Sequence, residues 1–267
     1  MPFVDNNGVR IYYEVEGRGM PLMMVHGLGN STLEYRLNGY VEPLSETYQV
    51  ILVDVRGHGR SDKPHKPEAY RAELVAQDLV AILDELGIAT THYWGYSMGS
   101  AIGWYAMVPH ARARLCSLIF GGGPRDFAEE RLPHSSAVLK MWEHIAEVGM
   151  PAGLAYLEAR WGPIRKPFRS AQLANDPHAV LAMVRALHTW PRAPEDWARC
   201  DLPALIYAGD RDEAHDGAAS VAASLSNARF ISLPGLDHIG PQRHPELVLP
   251  HVLAFLAEVD KSDQQPV

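Results

Sequence analysis

The sequence predicts an α/β protein with a mostly parallel sheet and helices on both faces. Short apolar runs of strand length alternate along the chain with amphipathic segments of helix length. Continuous apolar runs of this kind are typical of strands that are buried on both faces, as in parallel sheets. The chain has 267 residues, which suits one α/β unit that carries an insertion.

The first two strands form a predicted hairpin. Residues 3–4 and 9–15 have strand-like patterns, and the tetrapeptide DNNG at residues 5–8 lies between them. An Asn-Gly pair supplies the positive φ angles that a tight hairpin turn requires. We therefore expect an antiparallel pair of strands at the start of the chain.

Six further strands are predicted after the hairpin, which makes eight in all. They cover residues 21–25, 48–53, 92–96, 114–120, 203–208 and 229–233. Helices are predicted over residues 69–86, 98–108 and 244–259, and Pro109 is expected to end the second of them. Parallel sheets bind ligands at the carboxyl ends of their strands, so a functional site is expected at that edge.

The alternation of strands and helices breaks between Pro124 and Trp197. No convincing strand occurs there, and prolines interrupt short helical segments. We predict a core of residues 1–123 and 198–260, a helical cap of residues 124–197 and a disordered tail of residues 261–267. The cap also contains four of the six tryptophans, namely Trp142, Trp161, Trp190 and Trp197.

Charge and composition exclude several classes of partner. The formal net charge is −8 and no dense run of lysine and arginine occurs, so a nucleic-acid partner is not expected. The chain shows no signal-peptide pattern and no apolar run of membrane-spanning length. Cys116 and Cys200 are expected to be free thiols, which fits a reducing compartment. These features favour a cytoplasmic protein that does not bind membranes, and they leave the oligomeric state open.

The stretch THYWGYSMGSAIG, residues 91–103, places Ser97 between two glycines at a predicted strand-to-helix junction. A strand that turns at once into a helix forces its hinge residue into a strained backbone conformation and exposes the hinge side chain. Side chains two positions away would collide with the hinge, and glycine at positions 95 and 99 removes that collision. We therefore predict that Ser97 is a nucleophile, which needs a base and an orienting carboxylate.

Two loops late in the chain offer the base and the carboxylate. The sequence GDRD at residues 209–212 follows one predicted strand, and GLDH at residues 235–238 follows the last one. The order along the chain is then serine, acid, histidine, with His238 as the base. Asp210 and Asp212 are alternative acids on the same loop, and Asp237 is expected to shape the turn beside the base.

With these motifs in place, the chain resembles an α/β-hydrolase of the small, cap-bearing esterase and lactonase type. The resemblance extends from about Phe3 to Val259 and is weakest in the insertion. It implies the α/β-hydrolase fold, with an eight-stranded sheet. The Gly-x-x-Asp pattern of the family selects Asp212 as the acid, with Asp210 as the alternative, and the loop after the eighth strand selects His238.

The resemblance also implies an oxyanion hole formed by backbone N–H groups. The sequence HGLG at residues 26–29 matches the oxyanion loop of the family, so Leu28 N–H and Met98 N–H are the implied donors. Met98 opens the predicted helix after Ser97, where the helix dipole also favours negative charge. His58 and Asp54 are expected to brace the fold rather than to act in the chemistry.

No cofactor and no metal ion is predicted. The run Gly121-Gly122-Gly123 lacks the Lys-Ser/Thr ending of a phosphate loop, and the chain has no zinc-binding spacing of histidine and cysteine. Asp210-Arg211-Asp212 begins like a calcium loop, but the positions that follow do not supply the required ligands.

A serine at this strand-to-helix junction distinguishes between reactions within the family, because haloalkane dehalogenases and epoxide hydrolases carry aspartate there. The resemblance implies cleavage of carboxylic esters of small to medium, mostly apolar substrates. Alternatives are an enol-lactonase or carbon–carbon bond hydrolase with the same residues, or a ligand receptor with little turnover. A mostly apolar pocket would suit an uncharged ester or lactone. The candidate pocket residues in the cap are Met141, Trp142, Tyr156 and Trp161.

Overall fold

Eight strands form a single mixed sheet at the centre of the molecule, as predicted. The structure is a computed structural model, and it describes residues 3–124, 133–191 and 200–263. The strands are β1 Phe3–Asn6, β2 Val9–Glu16, β3 Met20–Val25, β4 Tyr48–Val53, β5 Thr91–Tyr96, β6 Leu115–Gly121, β7 Ala204–Gly209 and β8 Ala228–Leu233. Their order across the sheet is β1-β2-β4-β3-β5-β6-β7-β8.

The hairpin accounts for the antiparallel part of the sheet. Phe3 pairs with Tyr12 across β1 and β2, and the turn between them has φ angles of 55° at Asn7 and 80° at Gly8. β2 also pairs antiparallel with β4. All other neighbouring strands are parallel, so the carboxyl ends of β3, β5, β7 and β8 lie along one edge of the sheet.

Twelve α-helices occur in the described ranges. They are α1 Leu33–Leu37, α2 Val41–Ser45, α3 Ala72–Glu85, α4 Met98–Ile102, α5 Val108–Ala111, α6 Pro133–Val148, α7 Met150–Trp161, α8 Lys166–Leu173, α9 Pro177–Leu187, α10 His215–Ser224, α11 Gly240–Arg243 and α12 Pro245–Asp263. Short 3₁₀ segments cover Pro67–Tyr70 and Arg112–Arg114, and a π-helical turn covers Gly103–Met107. Within the described ranges, none of these helices combines the length and apolarity needed to cross a membrane.

Pro109 does not end the helical segment after β5, so that prediction was wrong. The segment passes through the π-helical turn and continues as α5 to Ala111. Pro109 is the second residue of α5 and directly follows the π-helical turn and Val108. At the end of the chain, α12 continues through Asp263 into the predicted tail, and residues 264–267 lie outside the described ranges.

The sheet separates two apolar cores, and β4 shows the alternation that assigns side chains to them. Ile51 and Val53 face the core that packs against α3 and α10, whereas Val50 and Leu52 face the core that packs against α12. All four side chains are at most 1% exposed. Burial of a strand on both faces fixes its register, because a slip of one residue would exchange the two faces.

Between β6 and β7 the described residues 133–191 form α6 to α9 and contain no strand. We call these four the cap helices. They have an apolar core of their own, with Trp142, Ile145, Met150, Leu154, Leu157, Val180, Leu181 and Val184. The cap helices are also joined to the rest of the protein, because Met183 of α9 packs into the main core and Trp190 Nε1 donates to the Tyr70 carbonyl at 2.8 Å.

Candidate active site

Ser97 occupies a strained hinge between β5 and α4. Its φ and ψ angles are 51° and −106°, a conformation that side chains other than glycine rarely adopt. A Cβ atom on Gly95 would lie 2.2 Å from the Gly99 carbonyl oxygen, and one on Gly99 would lie 2.1 Å from that of Val25. Both glycines are therefore required by close backbone approach, which explains the symmetric pattern around the serine.

Ser97, His238 and Asp212 form a continuous hydrogen-bonded array at the carboxyl edge of the sheet. His238 Nε2 lies 2.9 Å from Ser97 Oγ, and His238 Nδ1 lies 2.7 Å from Asp212 Oδ2. The Asp212 side chain is fully buried, and its other oxygen accepts the Ala214 N–H at 2.8 Å. With the carboxylate accepting from Nδ1–H, Nε2 is free to accept the serine proton.

The other two aspartates on these loops have local structural contacts. Asp210 Oδ1 accepts the Gly235 N–H at 2.7 Å, which ties the loop after β7 to the loop after β8. Asp237 Oδ1 accepts the N–H groups of Ile239 and Gly240 and so forms the turn beside the histidine. Of the two acids that the residues alone left open, Asp212 is therefore the one in contact with His238.

Two residues that were not predicted as part of the site, Tyr96 and Gly122, also lie against His238. Tyr96 OH donates to the His238 carbonyl oxygen at 2.9 Å, and burial raises the pKa of Tyr96 well above its usual value, so the hydroxyl remains a donor. A Cβ atom on Gly122 would lie 3.1 Å from His238 Cε1. The three-glycine run at residues 121–123, which does not match a phosphate loop, thus leaves room for the imidazole ring.

We expect Tyr96→Phe to lower kcat without changing KM, because it loosens the backbone that carries the base. The loss of one neutral hydrogen bond costs about 0.5–1.5 kcal/mol, which corresponds to roughly a 2- to 13-fold lower rate. Steady-state kinetics on a chromogenic ester would measure this, with a thermal melt of the variant as the control for folding. An unchanged kcat would show that the loop after β8 holds His238 without this bond.

The residues His26 to Asn30, here called the oxyanion loop after their predicted role, lie beside Ser97. Asn30 N–H donates to the Gly27 carbonyl at 3.2 Å and closes a turn in which Gly29 has a φ of 73°. A Cβ atom on Gly27 would lie 3.6 Å from Ser97 Cβ. In the described part of the chain, neither Leu28 N–H nor Met98 N–H has a protein acceptor. The role of the two N–H groups as oxyanion donors stays a prediction.

A buried carboxyl group, Glu34 of α1, supports the oxyanion loop and was missed by the sequence analysis. It is 5% exposed, accepts from Asn30 Nδ2 at 2.8 Å and accepts the Gly27 N–H at 3.4 Å. Burial raises the pKa of Glu34 to about 8. A single glutamate four residues after an asparagine has no distinctive pattern, so only the folded chain reveals the contact.

Two buried histidines lie behind the oxyanion loop and contact backbone groups. His26 Nδ1 donates to the Gly27 carbonyl at 2.7 Å, and its Nε2 accepts the Val55 N–H at 3.1 Å. His58 Nδ1 donates to the Arg56 carbonyl at 3.2 Å. Burial lowers the pKa of His26 to about 4 and that of His58 to about 3, so both rings remain neutral. Neither ring reaches the array of Ser97.

Asp54 contacts the same region from the core. Its two carboxylate oxygens accept the N–H groups of Thr32, at 2.7 Å, and Arg60, at 2.8 Å. The side chain is 1% exposed and holds the start of α1 against the loop after β4. These contacts are structural, and they do not include Ser97, His238 or Asp212.

We expect the stability of the protein to depend on pH through these buried groups. His26 and His58 have folded pKa values below the unfolded value of 6.5, so their contribution is lost as pH falls below 6.5. Glu34 has a folded pKa above its unfolded value of 4.5, so its contribution is lost as pH rises from 4.5 through about 8. Each group changes the free energy of unfolding by about 1.4 kcal/mol per pH unit within its own window.

The variant Glu34→Gln should therefore flatten the decline of stability between about pH 6.5 and pH 8, where the two histidines no longer titrate. Urea unfolding at both pH values would measure the free energy of unfolding of the variant and the parent. Below about pH 4.5, where Glu34 is protonated in the folded and the unfolded protein, the histidine contribution is unchanged in the variant and acts as an internal control. A variant that retains the full alkaline decline would contradict this assignment.

A cavity of about 500 Å³ lies above Ser97 and His238, between the oxyanion loop and the cap helices. Met141 and Trp142 of α6 are among the residues that line it. The apolar lining residues include Leu28, Met98, Ala101, Tyr105, Val138, Leu157, Val184, Leu187 and Trp190. The space is large enough for a small to medium organic molecule.

Two of the predicted pocket residues are not seen to line the cavity. Tyr156 is 43% exposed and packs against His144 with ring centroids 5.6 Å apart, so its assignment to the pocket was wrong. The reason is the orientation of α7, which turns Leu154 and Leu157 inward and Tyr156 outward. Trp161 is the last residue of α7, and its side chain lies outside what the structure describes.

A second array of the same three residue types lies elsewhere in the fold. His92 Nδ1 is 2.7 Å from Ser117 Oγ, and His92 Nε2 is 3.0 Å from Asp260 Oδ1. Ser117 and His92 are fully buried, and neither lines the cavity above Ser97. This array joins β5 and β6 to α12, and its serine hydroxyl lies in the protein interior.

The fold and the matching family model agree. A family model described as the α/β hydrolase fold matches residues 20–132. A solved structure from work on carboxylesterases of Nitrososphaera gargenis superposes with a TM-score of 0.85 at 22% identity, covering 98% of this chain and 100% of that one. This chain has the α/β-hydrolase fold.

Sequence relatives of this chain carry different reaction names. A non-heme chloroperoxidase of Streptomyces lividans is 26% identical over 94% of this chain and 97% of its own. A putative carbamate hydrolase, RutD, of Azorhizobium caulinodans is 30% identical over 127 residues. That alignment covers 47% of this chain and 46% of the relative, so the chain spans about half the length of this curated relative.

Proposed function

We propose that this α/β-hydrolase is a serine hydrolase that cleaves carboxylic esters through an acyl-enzyme on Ser97. The observation that carries the proposal is the array of Ser97 Oγ, His238 and Asp212, with contacts of 2.9 and 2.7 Å, at the floor of a cavity. The relatives named above do not determine the reaction, so the proposal depends on the site itself.

The proposed mechanism begins when Ser97 Oγ attacks the ester carbonyl carbon. His238 Nε2 takes the hydroxyl proton, and Asp212 stabilises the imidazolium through Nδ1–H. The carbonyl oxygen becomes an oxyanion and accepts from Leu28 N–H and Met98 N–H. His238 then donates its proton to the leaving alkoxide, and the alcohol departs from the acyl-enzyme.

Water completes the cycle along the same path. His238 takes a proton from a water molecule, and the resulting hydroxide attacks the acyl carbon. The second tetrahedral intermediate collapses when the histidine returns the proton to Ser97 Oγ, and the carboxylic acid is released. The free enzyme is then restored with no change in its own atoms.

The apolar lining supports an uncharged substrate of small to medium size. We propose that the cap helices cover the carboxyl edge of the sheet and that Met141 and Trp142 contact the substrate. A serine at the hinge between β5 and α4, rather than an aspartate, supports acyl transfer over epoxide opening. The substrate is therefore expected to present a carbonyl carbon to Ser97.

Covalent labelling tests the proposed chemistry. A fluorophosphonate forms a phosphorus–oxygen bond with an activated serine and releases fluoride, and mass spectrometry locates the adduct. We expect the adduct on the peptide that contains Ser97. Folded protein that stays unlabelled would favour a ligand receptor with little turnover.

A panel of p-nitrophenyl esters, enol-lactones and vinylogous diketones tests the substrate class. We expect short-chain and medium-chain esters to give the highest kcat/KM. If the protein is labelled at Ser97 but prefers the lactone or the diketone, the roles of Ser97, His238 and Asp212 would stand. The proposed reaction would then be lactone or carbon–carbon bond cleavage instead of ester cleavage.

A further inference from the structure

Side chains from the core and from the cap form hydrogen bonds with the oxyanion loop. These side chains take no part in the proposed mechanism. On the core side, Glu34 accepts from Asn30 Nδ2 and from the Gly27 N–H. On the cap side, Asn175 Nδ2 donates to the Gly29 carbonyl oxygen at 2.6 Å. The loop that carries Leu28 N–H, the proposed donor, is thus hydrogen-bonded to both the core and the cap.

Asn175 is well placed to act as an anchor, because it is only 9% exposed and directly follows the turn that ends α8. Its Nδ2 also donates to Gln172 Oε1 at 3.2 Å. Gln172 Nε2 in turn donates to Asn30 Oδ1 at 3.1 Å. Two side-chain amides therefore connect the end of α8 to two neighbouring residues of the oxyanion loop.

The cap also covers the loop with an aromatic ring. A Cβ atom on Gly29 would lie 3.2 Å from Trp142 Cζ2, and the Trp142 side chain is 3% exposed. Gly29 also has a φ of 73°, which an L side chain rarely adopts. The position is restricted to glycine twice over, by its own backbone and by the approach of α6.

The loop needs such anchors because its backbone is intrinsically permissive. Glycine populates many backbone conformations, so a turn with glycine at positions 27 and 29 does not hold the N–H of Leu28 in one direction by itself. A donor contributes to catalysis when it is already aimed at the place where negative charge develops. Fixing the Gly29 carbonyl restricts the turn that presents Leu28.

We propose that Asn175 is a positioning residue for the oxyanion hole. Seating of α8 on the core then sets the rate of ester cleavage through the Gly29 carbonyl, although Asn175 does not touch the substrate. This inference rests on the proposed function, since it concerns the donor that the proposed oxyanion would use. It assigns the cap a role in the chemistry in addition to enclosing the substrate.

The test compares an ester with its thionoester in Asn175→Asp and Asn175→Ala. The aspartate keeps the size of the side chain and removes its donor, and alanine removes both. A thiocarbonyl sulfur is a poor hydrogen-bond acceptor, so its cleavage depends little on the oxyanion hole. We expect kcat for the ester to fall roughly 10- to 100-fold, below the full loss of one donor. KM should stay within about 3-fold, and the ratio of ester to thionoester rates should fall with kcat.

Ser170→Ala, an exposed position on α8, is the matched control for any general disturbance of the cap. It should retain the rates and the ester-to-thionoester ratio of the parent, and thermal melts should show that all variants are folded. Equal losses on both substrates, or no loss at all, would overturn the inference while the parent still reacts with a fluorophosphonate. A parent that cleaves neither substrate and resists the fluorophosphonate would overturn the proposed function and this inference with it.

Discussion

Ser97→Ala is expected to reduce ester hydrolysis by about 10³- to 10⁶-fold. The substitution removes the oxygen atom that forms the acyl-enzyme in the proposed mechanism, while the proposed oxyanion donors and the cavity remain. Ser97 Oγ makes one hydrogen bond, to His238 Nε2, so its loss should not unfold the protein. Initial rates with a short-chain p-nitrophenyl ester would measure the effect.

Ser170→Ala again serves as the control, because Ser170 is an exposed serine that is not among the residues lining the cavity. It should hydrolyse the ester at the parental rate. Parental activity in Ser97→Ala would mean that another group attacks the carbonyl, and the proposed mechanism would then be wrong. A thermal melt close to that of the parent is needed for either conclusion.

Asp212→Asn is the second substitution expected to have a large effect, with a loss of about 10³- to 10⁴-fold in kcat. The amide nitrogen cannot accept from His238 Nδ1–H, so the ring is turned or takes the other tautomer, and Nε2 no longer accepts the serine proton. Because the change is isosteric, the loop after β7 should keep its shape. Stopped or steady-state kinetics across a pH series would measure the loss.

Asp210→Asn is a close control on the same loop. Asp210 accepts only the Gly235 N–H among the described residues, and an asparagine oxygen can accept it equally. We expect this variant to keep its kcat within about 3-fold, because the hydrogen bond from the Gly235 N–H is retained. The reverse result, a large loss at Asp210 and a small one at Asp212, would exchange the roles of the two aspartates.

Most of the sheet could be predicted because local pattern and final environment agree. Buried parallel strands such as β4 are apolar on both faces, so they stand out in the sequence. The hinge at Ser97 could be predicted because its two glycines have no other explanation than close backbone contact. The order of serine, acid and histidine followed from loops that end strands on the same edge.

The parts that could not be predicted depend on contacts between distant segments. Asn175 lies between two helices and reads as an ordinary helix boundary, yet its amide reaches a glycine 146 residues earlier. Glu34 reads as a surface residue of a short helix, and only the folded chain shows its burial. The error at Tyr156 has the same origin, because the composition of a helix does not specify which face it turns toward a cavity.

The array of Ser117, His92 and Asp260 allows the reactivity of Ser97 to be compared with that of a buried serine in the same protein. The same three functional groups occur twice among the described residues, with similar spacing, and Ser97 lines the cavity whereas Ser117 is fully buried. An electrophile specific for activated serine should therefore react once per polypeptide. A stoichiometry of two would mean that the strands around Ser117 part far more readily than their packing indicates.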